Sequence, residues 1–322
     1  MGRSSARERS SALNRIRIRP SRRPAEPKKP FLRDVRDNKQ LYLLLLPFCV
    51  VFLLMFVIPI AASMVLSLTY YNMFNTPKFI GLANYINLFL NDDVFFIALK
   101  NTLLFAVISG PISFFASFIM AWLISNLKKL RNVFSLAFYA PSITSGVAMS
   151  TVWLYFFSSD SYGLINNVLI RMGLISEPIK WTLDPQYILG VVVFISIWMG
   201  MGTGFLTFLA GLQGLNEEIY EAGMIDGIRN SVQELFYLTL PQMKPQLLFG
   251  AINGTVAAFG VFDIAVSVAG MPSPNYAAHT IVAHLYDYAF IRFDMGYASA
   301  VAVILFLMTF VLGRVFMKVF SS

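Results

Sequence analysis

The 322-residue chain has a single cysteine, Cys49, so no disulfide can form within it. Cys49 falls in an apolar run, where a lone thiol reads as a small packed group. There are two histidines, His279 and His284, with no thiol or paired carboxylates near them. They form no metal-ligand pattern and read as ordinary polar residues. There is no G-x-x-x-x-G-K-[ST] phosphate loop, no G-x-S-x-G elbow and no G-x-G-x-x-G after a strand. Nothing here equips the chain to hydrolyse a nucleotide, and any energised work would draw on another subunit. Charge is scarce as well: 13% of residues are charged against 57% hydrophobic, with mean hydropathy +0.65. That balance excludes an ordinary soluble domain.

What is present is a series of charge-free runs, at 40–77, 101–127, 132–159, 185–216, 245–262, 264–286 and 295–313. About 20 apolar residues cross the hydrocarbon core as a helix, and a lipid-exposed backbone must satisfy its own hydrogen bonds. The pattern predicts an all-α polytopic membrane protein with six transmembrane helices, centred near Phe52, Ser113, Met149, Ile195, Ala257 and Leu305. The run 264–286 carries Gly270, Pro272, Pro274 and Asn275 and reads mainly as an extracytoplasmic connection. Pro47, Pro59, Pro111 and Pro141 are expected to kink or end helices.

Six spans place both termini on one side. Residues 1–39, the turn 126–132, the loop 212–245 and the C-terminus together hold twenty Lys and Arg. The opposite side holds five: Lys78, Lys100, Arg171, Lys180 and Arg292. By the positive-inside rule both termini and the polar loop 212–245 are expected in the cytoplasm. The net charge of +8 therefore belongs to membrane topology, not to nucleic-acid binding. Residues 1–39 mix Arg, Ser and Pro and read as a basic disordered cytoplasmic tail, either a topology determinant or a segment attracted to anionic membrane lipid. Residues 40–322 read as the transmembrane domain.

Between Gln213 and Pro241 lies a polar insert with five of the seventeen acidic residues: Glu217, Glu218, Glu221, Asp226 and Glu234. Asn216 suits an N-cap, Glu217 and Glu218 suit the positive helix N-terminus, and Gly227 suits a left-handed stop. Ile219, Ala222, Gly223 and Asp226 then share one narrow face. Such a helix is marginal alone and would gain stability in a partner's groove; it could equally be an amphipathic connector of no special role.

Glu221-Ala222-Gly223, Asp226-Gly227 and Leu240-Pro241 resemble the EAA loop of ABC-importer permeases. That family's consensus runs Glu-Ala-Ala, three residues, Gly, and about nine residues later a hydrophobic–x–Leu-Pro ending. Gly223 replaces the second Ala, and the bulky Ile228 stands where a small residue is common. FIGLANYINLF (79–89), NTLLF (101–105), YGLINNVL (162–169), VFDIAVSVAGMP (261–272) and MGYASAVAVILFL (295–307) extend the resemblance to maltose-type carbohydrate permeases over residues 40–318. The resemblance implies an ABC type I importer permease fold and import of a sugar or oligosaccharide. It also implies a second homologous permease, an ATPase dimer carrying the ATP and Mg, and an external solute-binding protein. The chain itself binds no cofactor on this reading. Glu217 to Gly227, with Leu240 and Pro241, would form the coupling loop 212–245.

An uncharged sugar needs hydrogen-bonding groups and aromatic faces, which are costly in a span unless they face a cavity. Candidates for a substrate path are Trp153, Tyr155, Trp198, Thr203, Asn253, Thr255 and Asp263, the clear acid among the spans. Each has an alternative: aromatic belt or core for the rings, a structural contact near an outer gate for Asp263. Gly200/Gly204 and Gly250/Gly254 have G-x-x-x-G spacing, for packing within the bundle or along a seam with a partner. A permease for a non-sugar solute stays open as the alternative. A secondary carrier would need acids or repeats through the spans, which are not evident.

Overall fold

The computed structural model describes residues 38–127 and 129–321. The basic tail, but for its last two residues, and Lys128 of the 126–132 turn lie outside the described residues, and so do the expectations placed on them. In chain order the elements are helix α1 (Lys39–Leu66), a two-stranded antiparallel hairpin β1 (Thr69–Tyr70) and β2 (Lys78–Phe79), α2 (Ala83–Leu90) and α3 (Asp93–Ser125). Then come α4 (Arg131–Ile143), α5 (Gly146–Phe156), α6 (Leu164–Arg171), α7 (Ile188–Gln213), α8 (Glu217–Ile225) and α9 (Ser231–Glu234). The last are α10 (Lys244–Phe259), α11 (Asp263–Ala269), α12 (Ile281–Tyr286) and α13 (Met295–Ser321).

Among the described residues five helices are long and apolar enough to cross a membrane: α1, α3, α7, the stretch Lys244–Ala269 and α13. The expected span near Met149 is different in kind. It is the pair α4 and α5, bent by 100° at Thr144 and Ser145. Pro141 and the Ser-Ile-Thr-Ser-Gly run explain the break: Pro removes a donor, and hydroxyl residues offer the backbone other partners. The run 264–286 also departs from a plain connection, because its first residues belong to α11 and so to the span Lys244–Ala269.

The prolines act less uniformly than expected. Pro47 and Pro111 sit inside helices that continue through them, and Pro141 lies just before the end of α4. Pro59 follows a wide π turn over Leu53–Val57, where the Ile58 N–H reaches back to the Leu53 carbonyl. Pro241 follows a matching turn over Leu235–Thr239, where the Leu240 N–H reaches the Leu235 carbonyl. A proline ring clashes with the carbonyl four residues earlier, and widening the preceding turn by one residue relieves that clash without ending the helix.

The chain divides into two compact units, Met1–Pro59 and Ile60–Ser322. The described part of the first is the beginning of α1, apolar on every side, with Phe48, Phe52 and Phe56 stacked at 6.0 and 5.6 Å. In the second, α7 is the most buried span and packs on α3, α4 and α10. One core joins Phe105, Ile188, Val192 and Ile195 to Ala265 of α11; another joins Phe118, Phe205 and Phe208 to Met243 and Leu247. A third joins Leu88, Phe95, Ile281, Tyr297 and Val301.

One glycine of each pair, Gly204 and Gly250, serves close packing within the bundle. A Cβ at Gly204 would lie 3.0 Å from Ser117 Oγ on α3, and one at Gly250 would lie 2.6 Å from Phe208. Nothing lies within 4 Å of such a position at Gly254.

Candidate functional site

The polar insert folds as a short helix fastened to the segment that follows it. Asn216 Oδ1 accepts the Glu218 N–H at 3.0 Å, and Glu217 and Glu218 occupy the first turn, where the helix dipole favours them. Asp226 caps the C-terminal end, and Gly227 at φ +100° turns the chain, a conformation that side chains disfavour. The Ile228 N–H then bonds the Gly223 carbonyl at 3.0 Å.

The face expected to dock is turned inward at its centre. Gly223 is buried, and a Cβ there would lie 2.8 Å from Leu238 Cδ1 and 3.3 Å from Ile228 Cδ1. The absent side chain at Gly223 admits Leu238, so its smallness serves packing within this chain. The bulk of Ile228 fills the same contact and does not project outward. Tyr220 Oη and Thr239 Oγ1 add a hydrogen bond at 2.8 Å, with Thr239 buried. The exposed face is instead Glu218, Glu221, Ala222 and Ile225, at i, i+3, i+4 and i+7. Ile225 is 86% exposed, and Glu217, Asp226 and Gly227 are exposed beside it. Leu240 packs against the Phe205–Met243 core, and Pro241 is exposed. Nine residues make a helix that is marginal by itself, so these contacts hold α8 in place. Tyr220→Phe is expected to lower stability by about 1 kcal/mol and to increase amide exchange in α8 selectively.

A second site lies where two helices break. α4 and α5 part at Thr144 and Ser145, and α10 and α11 part at residues 260–262. α11 packs on α5, and a Cβ on Gly146 would be 3.4 Å from the Asp263 Cβ. The two breaks are therefore neighbours, and Asp263 stands between them at the start of α11, exposed. Non-helical backbone at membrane depth is tolerated where it is buried in protein or lines a polar cavity. Thr144, Ser145 and Gly260 are exposed at these breaks, as are Asn253 on α10 and Thr203 on α7.

The other path candidates divide. Trp153 and Trp198 meet edge to face at 5.2 Å and pack on the α7 core with Phe157 and Phe194. Trp153 Nε1 is buried there without a hydrogen-bond partner. Tyr155 is exposed, and Thr255 returns its hydroxyl to the Ala251 carbonyl at 2.7 Å. The geometry brings Trp153 to Trp198 and Asp263 to the α4–α5 break; it does not gather all seven candidates into one pocket.

Sequence reasoning passed over a buried polar cluster at the start of α3. Asp92 Oδ1 accepts the Phe95 N–H at 2.9 Å, capping α3. Its Oδ2 accepts Tyr297 Oη at 2.5 Å and Tyr288 Oη at 3.2 Å, with His284 Nε2 at 3.1 Å. His279 and His284 are 3% and 1% exposed, so they are parts of this cluster rather than ordinary surface groups. Asn101 donates to the Tyr276 and His279 carbonyls at 2.8 and 3.0 Å, binding the 270–294 segment to α3. An Asp92-Asp93 pair ahead of the apolar Val-Phe-Phe-Ile-Ala-Leu stretch was the one signal in the sequence.

Burial pushes the Asp92 carboxyl up, but donation from His284, Tyr297 and the Phe95 N–H outweighs it and holds the group below the usual carboxylate range. Burial, then the neighbouring His284, lowers His279 to about 4. An unfolded histidine titrates near 6.5, so between those values the unfolded chain binds more protons and stability falls as pH falls. The Asp92 contribution is lost only at lower pH. Thermal unfolding in detergent is expected to move to lower temperature between pH 7 and 5, and His279→Gln to reduce that dependence.

Residues 113–321, about two thirds of the chain, match the family described as binding-protein-dependent transport system inner membrane component. A probable ABC transporter permease of Bacillus subtilis, YesP, is 35% identical over 84% of this chain and 87% of its own length. The lactose transport system permease LacF of Rhizobium radiobacter is 34% identical over 79% and 85%, respectively. The arabinooligosaccharide permease AraP of Bacillus subtilis is 29% identical over 93% and 95%. A crystal structure of a bacterial ABC transporter importing the acidic polysaccharide alginate shares the fold, with TM-score 0.75 and 22% identity over 90% of this chain and 98% of that one. The chain is thus a member of the family of binding-protein-dependent transport system inner membrane components, with the all-α fold of an ABC-importer permease.

Proposed function

We propose that this chain is the transmembrane permease subunit of an ATP-driven importer of a sugar or oligosaccharide. The observation that carries this reading is α8. It is a capped, acidic helix held by Tyr220 and Gly223 on one side and fully presented on the other, in a chain whose relatives include lactose and arabinooligosaccharide permeases.

On this reading Glu218, Glu221, Ala222 and Ile225 enter a groove on an ATPase dimer, which binds ATP and Mg and does the hydrolysis. Glu217, Asp226 and Gly227 border that contact, while Gly223, Leu240 and Pro241 fix its position. The two spans broken at 144–145 and 260–262 yield where continuous helices would resist, so movement of α8 reaches the Asp263 region. A second homologous permease covers the exposed polar groups Thr203, Asn253 and Asp263, and substrate passes between the two subunits. An external solute-binding protein delivers the substrate; the alginate transporter also occurs in complex with a periplasmic protein bound to alginate pentasaccharide. The excess of Lys and Arg on one side of the spans supports a cytoplasmic position for α8 and both termini.

Affinity purification from native membranes tests the assembly. The expected companions are a second permease and a P-loop ATPase, with sugar uptake in proteoliposomes that requires internal ATP and the binding protein. A chain that purifies alone and transports without ATP would overturn the reading.

A further inference from the structure

α3 carries a single stripe that the transport reading leaves unused. Asp93, Phe96, Ile97, Lys100, Leu103, Leu104 and Val107 follow helical spacing, and all are exposed. Phe96, Leu99, Lys100, Leu103, Leu104 and Val107 line a shallow groove of about 350 Å³. Lys100 is its one charge. Lys100 lies two turns inside the helix, at the edge of its charge-free run, roughly 10 Å along the axis from Asp93 at 1.5 Å per residue. Neither Asp93 nor Lys100 has an ion-pair partner among the described residues.

A lone ammonium on an apolar stripe cannot rest in hydrocarbon. Helical side chains lean back toward the N-terminus and long basic stems snorkel, which directs this head to the headgroup layer at the α3 N-terminus. That directs the cation toward Asp93, with the acid on the outer side. Along the membrane normal the order is carboxylate, ammonium, then the apolar surface of Leu103, Leu104 and Val107. The buried Phe95 joins this face to α2 alongside. Phe96 packs on Phe95 at 5.8 Å and Phe95 on Phe89 at 5.9 Å. Phe89 belongs to α2, which turns Ile86, Phe89 and Leu90 outward and tucks Asn84 inward, donating to the Ser67 and Thr69 carbonyls. A helix with its amide inside and its apolar residues outside suits a lipid boundary.

We infer that this groove is a binding site for a phospholipid whose headgroup carries an ammonium outside its phosphate, such as phosphatidylethanolamine. Lys100 meets the phosphate, Asp93 meets the ammonium, and an acyl chain lies along Leu103, Leu104 and Val107. The order of charges decides the lipid class. An anionic headgroup without an amine, such as phosphatidylglycerol, satisfies Lys100 and leaves Asp93 facing like charge. The site lies in whichever leaflet meets the α3 N-terminus, so it does not depend on the orientation proposed above.

The test places a tryptophan in the groove with Phe96→Trp in the full complex, reconstituted with lipids brominated on the acyl chain. The emission added over the parent protein is the signal. Brominated phosphatidylethanolamine is expected to quench it at about three-fold lower mole fraction than brominated phosphatidylglycerol, the size of exposed charge pairing. Asp93→Asn is expected to remove that preference and keep quenching by both lipids. Lys100→Gln is expected to weaken both. Equal quenching by the two lipids in the Phe96→Trp protein would overturn the inference. So would no quenching by either, which would mean that protein covers the groove. Lipid co-purified with the unlabelled complex provides a second reading: ethanolamine lipid retained by the parent and lost in Lys100→Gln supports the site, and unchanged retention contradicts it.

Discussion

Gly223→Arg is expected to reduce uptake at least about ten-fold, a loss of roughly 1.4 kcal/mol in coupling, while the chain still inserts and folds. The reason is geometric. A Cβ at Gly223 already meets Leu238 at 2.8 Å, so a long cationic side chain forces α8 away from the π turn that holds it. The spans are untouched, because the clash lies outside the transmembrane cores. A paired variant separates position from contact. Ile225→Arg changes a side chain that is 86% exposed, so it should leave the thermal stability of the isolated subunit unchanged and still lose ATPase association. Uptake assays and co-purification on both variants check this. Normal transport in Gly223→Arg would remove α8 from the mechanism.

Asp263→Asn is expected to lower transport by about an order of magnitude with little change in stability. Asp263 sits beside Gly146 at the junction of two broken helices and is exposed in this chain. Its contribution to α11 through the helix dipole is only about 0.3–1 kcal/mol, so the fold survives its neutralisation. An acid at a membrane break is by default a candidate to serve substrate, partner or movement. Comparing uptake with melting temperature distinguishes these roles from a structural one: equal losses in both would make Asp263 a packing residue.

Much of this was readable from sequence, for physical reasons that can be named. The cap at Asn216, the acids at Glu217 and Glu218 and the left-handed Gly227 stand where local chemistry demanded. Local rules specify which residues begin and end a helix. They do not specify which side its neighbour occupies, and so the inward direction of Gly223 escaped a reading based on helical spacing. The Leu238–Gly223 contact now gives a physical reason for the spacing between the two halves of the loop motif. The 100° bend between α4 and α5 was hidden for a related reason. A charge-free run looks the same to hydropathy whether its backbone is straight or broken, and only Pro141 with the hydroxyl residues after it marked the place. The Asp92 cluster joins residues about 200 positions apart, as in Tyr297 donating to Asp92, and no local pattern announces such a partnership.

The account rests on α8 as the surface that receives force from an ATPase, and one crosslinking measurement addresses it directly. A single cysteine introduced as Ile225→Cys in a Cys49→Ser background, treated with a short photoactivated thiol reagent in native membranes, reports what lies against that face. The account predicts one dominant adduct, with a P-loop ATPase, whose yield changes when ATP is bound. No protein adduct, or an adduct insensitive to nucleotide, would contradict it.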